Sequence, residues 1–298
     1  MTKQEFQKLC AKTVFLDGAT GSNLIKAGMP QGVAPEAWIL EHPDVLHRLQ
    51  EAYVKAGSQI IYAPTFGANP ISLARHGLES RIRELNLSLV QCAKDSAGDK
   101  ALVAGDVTTT GQLMEPLGDM TYDEAVQAYQ AQISLLAEAG VDLIVAETMI
   151  HIGETCAALE AARAVCDLPV MCSLTVDANG NIFTGGNIFE AAAKLEAAGA
   201  DAVGVNCSVG PEQLKPIIGK LCQSVSIPVL AKPNAGMPVV SADGQTSYQM
   251  EPDDFAAHMK DLSAQGAILL GGCCGTAPEF IAALKKILRQ PSSPESLS

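Results

Sequence analysis

The sequence predicts an α/β fold, a single (β/α)8 TIM barrel, and three observations carry that expectation. The chain has 298 residues, the size of one large α/β barrel. A pattern also repeats along it. The segment Ala56–Thr65 (AGSQIIYAPT) returns as AGVDLIVAET from Ala139 and AGADAVGVNC from Ala198, and more loosely as QGAILLGGCC from Gln265. Each copy is a helix end closed by a glycine, a short apolar run and then polar residues, the signature of a strand buried on both faces. Finally, short apolar runs and amphipathic stretches alternate evenly, and no GxGxxG loop follows the first run. That favours a closed barrel over the alternative, an open doubly wound sheet.

Element by element, the first strand is expected at Thr13–Leu16. A loop-rich excursion, Asn23–Glu41, contains Trp38 and could cover the barrel mouth; a helix His42–Ala56 follows. The second strand lies in the first copy of the repeat, ahead of a helix Glu79–Ala97. Strand three is Ala101–Ala104, with helix Tyr122–Ala139; strand four is the second copy, with helix Ile152–Val165. Strand five is Pro169–Leu174, with helix Phe189–Ala198; strand six is the third copy, with helix Glu212–Gln223. Strand seven is Pro228–Ala231, and strand eight is the loose copy from Gln265. The helices Asp253–Gln265 and Glu279–Leu288 follow Pro252 and Pro278, a common way for helices to start. Residues 1–290 read as one barrel domain, and 291–298 as a flexible tail or the start of a linker.

Composition removes several function classes. Lys plus Arg number 20 and Asp plus Glu 33, for a formal net charge of −13, with no basic cluster. Neither a nucleic acid nor an anionic membrane is expected as a partner. Hydrophobic residues at 48% and charged residues at 18% exclude a disordered chain. There is no uninterrupted apolar stretch of about 18 residues and no signal-peptide pattern. Nine scattered cysteines, an odd number, suit a reducing cytoplasm and raise the question of which thiols do chemistry.

In such barrels the chemistry sits at the C-terminal strand ends. The polar residues there are Asp17, Thr65, Asp106, Thr108, Glu147, Asp177, Asn206, Cys207, Lys232, Asn234, Cys273 and Cys274. Three of them stand out. Neighbours on a regular strand point to opposite faces, so Cys273 and Cys274 can share an ion only where the strand has turned, and the flanking glycines of GGCCG permit a turn. Cys207 ends a strand on the same rim. Three thiolates with one position left open is the pattern of a catalytic zinc site. Adjacent cysteines can otherwise be buried fillers or a vicinal disulfide, but the third cysteine on the rim favours Zn2+. The remaining six read as small apolar fillers. The loop Asp17-Gly18-Ala19-Thr20 can turn N–H groups towards a carboxylate, while Asp17 and Glu147 can face an ammonium. A free α-amino acid carries both groups.

The series DGATG, PTFGAN, GDVTTTGQL, AET, NCSVGP, KPNAG and GGCCGT, from about Val14 to Leu288, resembles the homocysteine S-methyltransferase family. Within that family it is most similar to the homocysteine-binding module at the head of cobalamin-dependent methionine synthases. The resemblance implies a zinc-dependent barrel that methylates homocysteine to methionine. It assigns Cys207, Cys273 and Cys274 as zinc ligands and Asn234 as a weak fourth ligand. Asp17, Gly18, Ala19, Thr20, Glu147 and Asn206 fall to homocysteine binding. It further implies methylcobalamin as the donor, on a corrinoid- or folate-binding module in another domain or protein. Direct transfer from S-methylmethionine or a betaine, a non-catalytic homocysteine-binding subunit, and an aldolase using Lys232 as a Schiff-base nucleophile remain as alternatives.

Overall fold

The computed structural model describes residues 1–240 and 246–289; the expected tail at 291–298 lies outside the described residues. Ten strands occur among them: β1 (Val14–Phe15), β2 (Ile60–Tyr62), β3 (Leu102–Val107), β4 (Leu143–Met149), β5 (Val170–Leu174), β6 (Ala202–Asn206), β7 (Val229–Lys232), β8 (Val239–Val240), β9 (Thr246–Ser247) and β10 (Leu269–Leu270). Eight are parallel neighbours in the order β1-β10-β7-β6-β5-β4-β3-β2, and β8 and β9 form a separate antiparallel pair. The eight are those expected from the sequence, and each expected helix is present.

The ends of this sheet meet. Gln59 N donates to Phe15 O at 2.7 Å, and Phe15 N donates to Gln59 Oε1 at 3.2 Å. Ser58 Oγ donates to Leu16 O at 3.1 Å, and Tyr62 N donates to Asp17 Oδ2 at 2.7 Å. The β1–β2 seam is thus closed largely by side chains, giving a nearly closed barrel rather than an open sheet.

Strand alternation sorts side chains between two cores. Ala104, Leu143, Val145, Met171, Ala202 and Leu230 fill the barrel interior, while Val103, Val107, Ile144, Ala146 and Val203 pack outward under the helices. Continuing the inward alternation towards the C-terminal ends leads to Asp106 on β3, Glu147 on β4, Asn206 on β6 and Lys232 on β7. The interior therefore turns polar on the face where β/α barrels carry their sites.

Several elements escaped the sequence reading. A helix Lys3–Leu9, capped by reciprocal Thr2 and Glu5 hydrogen bonds, plugs the opposite end with Phe6. Short helices Gly21–Lys26 and Pro35–Glu41 organise the excursion after β1, burying Leu24 and Ile39. Another, Pro70–Ala74, is capped by Asn69, and the helix expected from Glu79 becomes regular only at Ile82. Strand β10 ends at Leu270, just before Gly271. A Cβ there would lie 2.6 Å from Asp17 O, so only glycine lets the ends of β1 and β10 abut.

Candidate metal and substrate site

Strand β6 stops abruptly. Cys207 and Ser208 adopt φ of 62° and 61°, a left-handed backbone uncommon outside glycine and concentrated at functional sites. Cys207 N donates to Lys232 O at 3.0 Å and Cys273 N to Pro233 O at 2.8 Å, so the end of β7 braces both cysteine loops. Ala235 N donates to Cys274 O at 2.9 Å. As a result the Sγ atoms of Cys207, Cys273 and Cys274 all lie within 4.8 Å of one another, and Cys207 and Cys274 are 3.9 Å apart. All nine cysteines are free, and Cys10 and Cys172 are buried in the cores.

The trio shares charge. Thiol donation from Cys207 and Cys273 pulls the Cys274 thiol down to about 3. The same contacts with Cys207 and Cys274 push Cys273 well above the usual thiol range. Crowding three thiols together opposes ionising more than one of them, and a cation among the sulfurs would relieve that opposition.

Asn206 supports the trio. Its Oδ1 accepts from Thr148 N and Ser173 Oγ, both at 2.8 Å. Its Nδ2 donates to Thr148 Oγ1 at 2.7 Å and points to Cys273 Sγ at 3.9 Å. With both ends of the amide occupied, Asn206 is placed to orient Cys273 and the Thr148 turn, itself at φ 57°. Asn234 sits between the two cysteine loops, its N–H donating to Val209 O at 3.1 Å, and its Oδ1 is buried without a partner among the described residues. Tyr248, which no sequence signal marked, packs on Gly275. Burial and the adjacent Cys274 charge push its hydroxyl above the usual tyrosine range.

Next to the sulfurs lies a cavity of about 330 Å³, at the small end of ligand pockets. The loop Asp17–Ser22 forms one wall, Asp106 and Glu147 line another, and Leu24, Ile39 and Phe66 cover it. The excursion after β1 thus covers the mouth. The N–H groups of Gly18 and Thr20 have no partner among the described residues, while Ala19 N is taken by Thr276 Oγ1 at 3.1 Å.

Lys232 stands at the base. Its Nζ donates to Asp17 Oδ1 at 2.9 Å and reaches Glu147 Oε2 at 3.5 Å, and it lies 3.6 Å from the centroid of the Tyr62 ring. Burial alone would lower the lysine pKa, but the two carboxylates override it and hold the ammonium well above the usual value. Paired with two carboxylates, the lysine is held as an ammonium, which is not nucleophilic, and this counts against the aldolase alternative. Burial also raises the Glu147 carboxyl, with Lys232 opposing. Both Asp17 oxygens are occupied, one by Lys232 and one by Tyr62 N, leaving Glu147 as the freer of the two acids paired with Lys232.

Three residues of the strand-end list are elsewhere. Thr65 donates to Asp106 O at 2.8 Å and Thr108 to Glu147 O at 2.8 Å, both tying strands together. Asp177 is exposed and accepts from the N–H groups of Asn179 and Asn181, ordering its own turn away from the cavity.

The mouth has one more property. Every strongly exposed large apolar side chain among the described residues lies between a strand's C-terminal end and the first turn of the following long helix. Phe183 (82%), Val240 (66%), Leu117 (55%) and Met237 (52%) lead this set. These residues fall on loops at the end of the barrel where the cavity opens.

A family model described as homocysteine S-methyltransferase matches residues 14–288. The chain is 30% identical to the methionine synthase of Mycobacterium leprae over 293 residues, and 30% identical to that of Mycobacterium tuberculosis over 297. These alignments cover 92% and 94% of this chain but 24% and 25% of the relatives, so the chain spans about a quarter of the length of the curated relatives it matches. Among solved structures, the metallated form of the homocysteine methyltransferase MmuM from Escherichia coli superposes with a TM-score of 0.78 at 23% identity, covering 93% of this chain and 96% of that one. The barrel fold is common to both.

Proposed function

The chain belongs to the homocysteine S-methyltransferase family, and from that premise we propose that it transfers a methyl group to the thiol of homocysteine, giving methionine. The observation that carries this reading is the convergence of three thiols, from two strand ends, on a cavity that also holds a free acid and free backbone N–H groups. The donor set fits zinc: three sulfurs within 4.8 Å whose crowding opposes ionising more than one, and the orphaned Oδ1 of Asn234 as a weak fourth donor. Zinc bound there would hold an incoming thiol as thiolate at neutral pH, where a free thiol of pKa ~8.5 is mostly protonated.

The chain's own residues do the positioning. Gly18 and Thr20 offer N–H groups to the substrate carboxylate. Glu147 takes the ammonium, with Asp17 orienting Lys232 and the loop. Leu24, Ile39 and Phe66 keep water from the sulfur. Zinc held by Cys207, Cys273 and Cys274 would supply the thiolate, so the chain's own residues would need to provide neither a general base nor a covalent intermediate. As the sulfur–methyl bond forms, the methyl–donor bond breaks and the donor leaves with that electron pair, and orientation is the main contribution of the polypeptide.

The donor in this reading is methylcobalamin carried by a separate corrinoid- or folate-linked module. Support comes from the relatives named methionine synthase and from the apolar rim, which suits a docking domain that brings a methyl group to the mouth. Residues 1–290 act as the homocysteine-binding unit. The reaction belongs to the reducing cytoplasm, since oxidation of three closely spaced thiols would abolish the site; no helix among the described residues is long and apolar enough to cross a membrane.

The test is a donor panel. Purified protein is expected to convert homocysteine to methionine with free methylcobalamin, and not with S-methylmethionine or betaine. Turnover with either of the latter moves the donor assignment. Homocysteine binding without turnover on any donor favours a binding subunit. A second expectation concerns Asn206. Because it positions Cys273, Asn206→Ala should weaken zinc affinity roughly 10–100-fold, as outer-sphere changes commonly do, measured by competition with a chromogenic chelator. Unchanged affinity would confine Asn206 to loop structure.

A further inference from the structure

Four acids line the cavity: Asp17, Glu36, Asp106 and Glu147. Three have donors. Asp17 receives Lys232 and Tyr62 N, Glu147 faces Lys232 at 3.5 Å, and Glu36 receives Gly67 N at 2.7 Å. Asp106 has none. It is 4% exposed, no hydrogen bond reaches its carboxyl group among the described residues, and Oδ1 is fully buried. Only its backbone is engaged, with Thr65.

A buried carboxyl without a donor is costly, and such groups ordinarily have a partner. The fold makes no use of this one: it caps no helix and closes no seam. It occupies the inward position after Ala104 on β3, beside β4, whose inward series Leu143–Val145 leads to Glu147. Asp106 also lines the cavity, so a donor that arrives with a ligand would meet the carboxyl on its cavity side, Oδ1 itself being fully buried. The sign of the charge narrows the choice, because four acids line a cavity that holds one lysine, and Lys232 is already shared by Asp17 and Glu147. Burial and the Glu147 charge raise the Asp106 carboxyl well above the usual range, and an ammonium placed beside it would restore the charged form.

We propose that Asp106 is a second anchor for the α-ammonium group of the substrate, sharing it with Glu147, and that it sets the preference for an amino-acid thiol over a thiol acid without nitrogen. This rests on the homocysteine reading above. An ammonium between the two carboxyls supplies Asp106 with its donor and brings a second positive charge into a cavity with excess negative charge. Charge-assisted hydrogen bonds of this type are the strong ones.

The test titrates zinc-loaded protein calorimetrically with L-homocysteine and with 4-mercaptobutanoate, which keeps thiol and carboxylate and lacks the ammonium. Asp106→Asn should bind homocysteine about 10–100-fold more weakly than wild type, with affinity for 4-mercaptobutanoate unchanged within about twofold and zinc content equal. Asp106→Ser gives the same readout should the Asn variant fold poorly. Unchanged homocysteine affinity in the variants overturns the proposal, and so does an equal loss for both ligands, which would mark Asp106 as merely structural. Failure of the wild-type protein to bind homocysteine sinks the substrate reading and this proposal together. Wild-type binding with indifferent variants sinks this proposal alone.

Discussion

Replacing Cys273 by alanine is expected to strip the metal from the protein and to lower turnover by about 10³-fold or more, since a metal's electrostatic contribution is worth several kcal/mol. Cys273 lies at the centre of the proposed site. Its N–H is held by Pro233 O, its carbonyl by Thr276, and its sulfur is approached by Asn206 as well as by Cys207 and Cys274. Two thiolates and a weak amide oxygen form a poor zinc site, so the third sulfur decides between a metalloprotein and a bare pair of thiols. Cys207→Ala should behave alike. Cys172→Ala is the contrasting control. That side chain is wholly buried in the outer core, and its removal should cost about 1–2 kcal/mol of stability while leaving zinc content intact. Metal analysis of the three purified variants, beside turnover, separates the cases. Zinc undiminished in the Cys207 and Cys273 variants would refute the metal assignment.

The reason the cysteines could be read from sequence is local. Two of them are adjacent inside a glycine run that must end a strand, and the third ends another copy of the same repeat. The barrel was legible for a related reason: a glycine-capped helix end followed by a short apolar run is a signal contained in about ten residues, and it recurs. Residues whose meaning depends on distant partners were not legible. Asp17 reads as a ligand-facing acid, yet its two oxygens close the β1–β2 seam through Tyr62 N and pair with Lys232, 215 positions away. Asp177 follows a strand just as Glu147 nearly ends one, but it lies three residues past the strand end, beyond the bridge at Val176, and is exposed. Asp106 was visible as a strand-end acid, while its lack of any donor emerges only from the packed structure. Tyr248 reaches the site from a segment with no strand pattern of its own. The N-terminal helix had a readable signal, Thr2 and Glu5 at capping-box spacing, ahead of the first apolar run.

Removing the one buried lysine is expected to be the most damaging single change to stability. Lys232→Met keeps the length and apolar stem of the side chain and deletes its charge. Asp17 and Glu147 then remain in the same cavity, with side chains 2% and 12% exposed, with no cation between them and with Asp106 close by. Breaking a buried ion pair by removing one partner typically costs about 3–5 kcal/mol, because the other charge is left uncompensated. Here one ammonium serves two carboxylates, and one of these also accepts the Tyr62 N–H that holds the barrel closed, so the loss reaches the seam as well as the site. If uncompensated charge is the cause, neutralising a partner should undo part of it. Lys232→Met combined with Glu147→Gln is expected to be more stable than Lys232→Met alone, a coupling of the kind shown by residues in one network. Urea denaturation of metal-free protein reads both, as a midpoint shift at constant slope. A Lys232→Met variant within about 1 kcal/mol of wild type, against that 3–5 kcal/mol, would mean that the acids are neutral in the folded protein and that Lys232 compensates little.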